Sequence, residues 1–142
     1  MESYSEYPTK ANAVLWIMQG LLALTFLFAG GIKLVTPAEA IAEMIPLPVL
    51  LVKLIGIVEV SGALGVILPG LLRIRPALTP LAAAGLLIVM SGATGFSLGT
   101  ADLATAAMPA AIGVLAMSVA YGRWRLAPHR EAYRLPVLQP AV

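Results

Sequence analysis

The chain has 142 residues, 60% of them hydrophobic and 11% charged, with nine Lys and Arg against seven Asp and Glu, and a mean hydropathy of +0.94. A soluble domain is about 45–50% apolar and about 25% charged, so the composition excludes an ordinary cytosolic enzyme and a disordered chain. No cysteine is present, which removes disulfides, thiol chemistry and thiolate metal sites, and the single His129 leaves little else to hold a metal.

Four apolar runs follow one another, at about 12–34, 49–69, 77–98 and 103–122. Each has the length a membrane-spanning helix requires. The hydrocarbon core offers no water to backbone groups, and a barrel would alternate polar and apolar residues, which these runs do not. The sequence therefore predicts an all-α, four-helix membrane bundle forming one domain over residues 1–142. Its first run is too long, and its flank too acidic at Glu2 and Glu6, for a cleaved signal peptide.

Between spans 1 and 2, Thr36-Pro37-Ala38-Glu39 reads as a capping box with proline at the first helical position. Ile41, Met44 and Ile45 fall opposite Glu39 and Glu43, so a short interfacial helix over 37–45 is expected, either a connector or a lid. The tail from Ala127, with Pro128, Pro136 and Pro140, reads as irregular.

Four spans put both termini and the central loop on one side. That side holds Lys10, Arg73, Arg75, Arg123, Arg125, Arg130 and Arg134, whereas Lys33 and Lys53 lie on the other. The positive-inside rule then places both termini in the cytoplasm of a multi-pass, bacterial-type inner-membrane protein. Trp16, Tyr121 and Trp124 sit near the same boundary. The arginines read mainly as topology signals, and nucleic acid is not expected as a partner; the lipid bilayer is, with a membrane protein or a second copy as further candidates.

Glu59, near the middle of span 2, is the most informative residue. A carboxylate there costs of order 2.5–3.5 kcal/mol on insertion scales. Its helical neighbours Gly56, Gly62 and Ala63 are small, the mark of a packed rather than a lipid-facing side. Lys33, near the end of span 1, is its expected partner, because the two side chains lean toward each other from antiparallel helices. Gln19, fourteen residues before Lys33, returns to nearly the same face, so a pocket of Glu59, Lys33 and Gln19 is expected. Lys53 is assigned to snorkelling.

Two readings of the pair stay open: an ion pair fixing helix register, or a site for proton transfer, ligand binding or catalysis. No recognised catalytic set, metal cluster or phosphate loop accompanies it. Gly30, Gly56, Gly62, Gly95 and Gly99 are assigned to helix packing, the last two as a GxxxG pattern. Pro109 should kink span 4. Met90, Met108 and Met117 are taken as core filling.

Gly30-Gly31-Ile32-Lys33-Leu34, Gly56-Ile57-Val58-Glu59, Gly62-Ala63-Leu64-Gly65 through Leu68-Pro69-Gly70, and Leu78-Thr79-Pro80-Leu81-Ala82-Ala83-Ala84-Gly85-Leu86 together resemble the DoxX-like membrane proteins over roughly residues 13–122. The founding relatives belong to a membrane thiosulfate–quinone oxidoreductase, and distant animal relatives act as receptor-assembly chaperones. The resemblance thus implies an accessory or small-ligand-binding protein, or a quinone-linked oxidoreductase subunit. This chain has no cysteine with which to carry sulfur. A membrane isomerase or hydrolase using Glu59 as acid/base is a further alternative.

Overall fold

The structure, a computed structural model, describes residues 6–75 and 77–126, with side chains described from residue 10 onward. The expected irregular tail over 127–142 lies outside the described residues. Every regular element among them is helical: α1 (Glu6–Val35), α2 (Ala38–Met44), α3 (Val49–Leu71), α4 (Leu78–Thr100) and α5 (Leu103–Tyr121), which runs into a π-helical turn at Gly122–Leu126. Four helices are long and apolar enough to cross a membrane, and α2 lies between the first two. α3 and α5 begin at the residues expected from the apolar pattern, Val49 and Leu103.

The boundaries have local causes. Pro48, with φ of −55°, leads into α3, where a missing N–H is harmless in the first turn. Asp102 caps α5, its carboxylate accepting the Thr105 N–H at 2.7 Å. That hydrogen bond holds the exposed Asp102 carboxyl below its ordinary value of 3.8. α3 closes with the Ile74 N–H bonded to the Pro69 carbonyl at 3.0 Å and Arg73 in the left-handed region at φ 55°.

Two expectations in the first connection are corrected. Thr36 does not cap α2; its hydroxyl turns back to donate to the Ile32 carbonyl at 2.7 Å, and the Pro37 position precedes the helix without a side-chain cap. A hydroxyl in the last turn of a helix finds a carbonyl one turn behind it more readily than a new amide ahead. Lys53 does not snorkel to headgroups either. Its ammonium donates to the Leu34 and Thr36 carbonyls at 2.8 and 2.6 Å, satisfying acceptors that the end of α1 leaves orphaned. α2 buries Ile41 while Glu39, Glu43 and Met44 are exposed.

The spans pack in chain order, α1 on α3, α3 on α4 and α4 on α5, while the seam that would close α5 onto α1 is much sparser. Leu22, Phe26, Val66, Leu86, Met90 and Val119 form the centre. Glycines set the two crossings of α3. A Cβ on Gly30 would lie 2.8 Å from the Gly56 carbonyl oxygen, and one on Gly62 would lie 2.5 Å from Leu86. Backbones approach this closely only where side chains are missing.

Gly95 and Gly99 depart from their expected packing role. Both are exposed, and a Cβ on either would meet nothing within 4 Å. They lie on the side of α4 opposite its buried residues Leu86 and Met90. Met90 is core, but Met108 and Met117 face outward at 71% and 52% exposure. In a bundle this small, half of every span must face lipid, so an apolar residue has no default position inside.

Candidate functional site

Antiparallel packing of α1 on α3 carries Lys33 and Glu59 to one level of the bundle. Gly56 makes this possible, since a Cβ there would lie 3.1 Å from both the Gly30 carbonyl oxygen and the Lys33 Cβ. The Lys33 ammonium donates to Glu59 Oε2 at 2.7 Å. Glu59 is 2% exposed, whereas the Lys33 side chain keeps 27% of its surface open. The pair is thus asymmetric: the anion is enclosed by helices and the cation borders the outside.

An ammonium has three N–H donors and no acceptor. Glu59 takes one of them. The arrangement is chemically able to satisfy a buried carboxylate and to present further donors to an acceptor from outside.

Gln19 does not join this pair. It lies roughly 21 Å further down α1, fourteen residues at 1.5 Å each, where it is fully buried in a second cluster. Its Nε2 donates to the Val66 carbonyl at 2.7 Å, and its Oε1 accepts from Arg123 Nε. Pro69 lies inside α3, about one turn beyond Val66. Arg123 Nη1 also donates to Asn12 Oδ1 at 2.6 Å, and its guanidinium stands 5.3 Å from the Trp16 ring centroid.

Arg123 is the residue the sequence reading missed. Grouped with the topology arginines, it is instead 2% exposed. A signal for it existed. Gly113, Ala116, Val119 and Arg123 recur at spacings of three, three and four on the buried face of α5 and its continuation, and Asn12, Trp16 and Gln19 recur at four and three on α1. Gly122 lets the two elements meet, because a Cβ there would clash with Leu15.

Gly113 faces Met90 and Leu87 across the α4–α5 seam, and this antiparallel register brings Thr79 level with the turn that carries Arg123. Among the described residues, the Thr79 hydroxyl is fully buried with no hydrogen-bond partner. Ser91 and Thr94, by contrast, bond to the Leu87 and Met90 carbonyls of their own helix. Among the described residues no three His, Cys, Asp or Glu side chains gather as a metal site would need.

A family model described as the DoxX-like family matches residues 17–119. No curated protein matches the chain, and no solved structure does.

Proposed function

This chain belongs to the DoxX-like family, and we propose that it is an accessory or small-ligand-binding protein of the membrane whose binding locus is the Glu59–Lys33 pair. One observation carries the reading: the carboxylate is enclosed while its ammonium partner remains partly open. The partly open lysine keeps N–H donors available to something outside the bundle. The ligand class that suits it is a small, largely apolar molecule with a carbonyl-type acceptor, able to reach Lys33 from the lipid.

A quinone is one such molecule, and the donor set fits it in one respect: Lys33 would donate one N–H to a ring carbonyl oxygen while Glu59 accepts another. A bound quinone would supply two-electron redox chemistry, which is the second reading, a quinone-linked subunit of a membrane oxidoreductase.

The distribution of Lys and Arg supports placing both termini and the Arg73–Arg75 loop in the cytoplasm of a bacterial-type inner membrane. Since the chain has no cysteine, single cysteines at Ala42 and Ala77 report sidedness directly. Labelling of Ala42→Cys but not Ala77→Cys by an impermeant reagent on intact cells is the expected result; the reverse pattern inverts the topology.

Purification in mild detergent followed by mass spectrometry of retained small molecules and proteins tests the function. The wild-type chain is expected to retain a defined apolar ligand that Glu59→Gln and Lys33→Met lose. Equal retention by all three proteins removes the pair as a binding locus. A retained quinone selects the second reading.

A further inference from the structure

The spans divide the charge unequally. Seven Lys and Arg against three Glu lie at, or adjoin in sequence, the end that carries Arg123, leaving four net positive charges there; the opposite end, with two Lys against three Glu and Asp102, carries two net negative charges. Arg123 is consumed inside the bundle by Gln19 and Asn12. Arg73, Arg75 and Arg125 are exposed.

Arg73 and Arg75 stand where the backbone is left-handed, at φ 55° and 35°. Glycine enters that region at no steric cost, and an arginine does not. The short turn between α3 and α4 therefore carries two guanidinium groups on a backbone that favours neither. Tyr121 and Trp124, both exposed on the final turns of the same end, are the amphipathic rings that sit at headgroup depth.

We propose that this end of the bundle binds the phosphate groups of anionic phospholipids, with Arg73, Arg75 and Arg125 as the binding cations and Trp124 and Tyr121 fixing their depth. The planar guanidinium matches two phosphate oxygens at once. The partner follows from the location of the site: a chain with four spans always has headgroups at this level, whereas any other polyanion has to arrive there. Each such cation near an anionic surface is worth roughly a fivefold change in binding.

The test uses the full chain in nanodiscs of phosphatidylcholine alone or mixed equally with phosphatidylglycerol, with retained lipid counted by native mass spectrometry after gentle delipidation. Phosphatidylglycerol should be retained in preference to phosphatidylcholine, and Arg73→Gly, Arg75→Gly and Arg125→Gln should each lower that preference about fivefold, with high salt lowering it for all proteins. Glycine relieves the left-handed backbone, so Arg73→Gly should melt higher than wild type in phosphatidylcholine and lose that advantage in the mixed bilayer. This crossing over of melting points separates lost lipid binding from misfolding. Equal retention of the two lipids, unchanged preference in the three variants, or displacement of phosphatidylglycerol by added RNA overturns the proposal.

Discussion

Midway along α3, Glu59 pairs with Lys33 across the α1–α3 crossing; at the end of the bundle that carries Arg123, the guanidinium is drawn against the amide oxygens of Gln19 and Asn12. The first cluster joins two neighbouring helices already held together by Gly30 and Gly56. The second ties α1 to the end of α5 along a seam that is otherwise sparse, and reaches α3 through the Val66 carbonyl. The difference separates two uses of buried polarity. Hydrogen bonds at Arg123 supply closure that apolar contacts do not, whereas the Glu59–Lys33 pair sits where packing is already dense and adds little to closure.

Substitutions can break this contrast, and the largest effect belongs to Lys33→Met. It strands a carboxylate that is 2% exposed, and removing one member of a buried pair costs about 3–5 kcal/mol. Glu59→Gln should cost less, about 1–2 kcal/mol, because Lys33 already borders the outside and can extend into it. Reversible unfolding in mixed micelles measures both; a larger loss for Glu59→Gln would show that the lysine is the more enclosed partner.

Next comes Gln19→Leu, which deprives Arg123 of an acceptor and the Val66 carbonyl of a donor. A loss of about 2–3 kcal/mol is expected, in the range for hydrogen bonds to charged groups. Spin labels on the lipid-facing ends of α1 and α5 should also move apart at the Arg123 end. Unchanged spacing would mean that the apolar contacts close the seam unaided.

Gly30→Ala places a Cβ against backbone at 2.8 Å, which cannot move aside as a side chain can, and should cost about 1–3 kcal/mol. Gly95→Ala meets nothing within 4 Å and should stay within about 0.5 kcal/mol of wild type. Thr79→Val should run the other way. The hydroxyl it removes is buried without a partner, so the isosteric valine is expected to stabilise the protein by up to about 1 kcal/mol.

The pattern of what could be read in advance is physical. The four spans were legible because length and apolarity alone decide them. The Glu59–Lys33 pairing was legible because a mid-span carboxylate has few alternatives and the glycines beside it mark the crossing. Gln19 was misplaced because helical phase puts it on the face of Lys33 while fourteen residues of axial rise set it roughly 21 Å away. Arg123 was hidden by its position at a span boundary, where arginines ordinarily report topology. Gly95 and Gly99 were misassigned because a GxxxG pattern marks a surface that permits close approach without showing that a partner approaches it.

The smallest effect concerns pH. Asp102 caps α5, and the Thr105 N–H that it accepts lowers its carboxyl from the ordinary value of 3.8. A carboxyl lowered by folding adds stability above the unfolded value and loses it as pH falls through the lower folded value. Stability should therefore decline slightly below about pH 4 in the wild type, and Asp102→Asn should flatten that decline. Identical acid profiles would show that the cap contributes nothing measurable.

The charge-reversed double variant Lys33→Glu with Glu59→Lys separates ligand binding from helix register, because it keeps an ion pair while exchanging which partner is enclosed and which is open. Thermal stability and retention of the co-purifying apolar ligand are measured together on one preparation. The double variant should regain much of the stability lost in Lys33→Met but not the ligand, since the open position then offers a carboxylate instead of donors. Recovery of ligand along with stability would contradict it and leave the pair as a device for helix register alone.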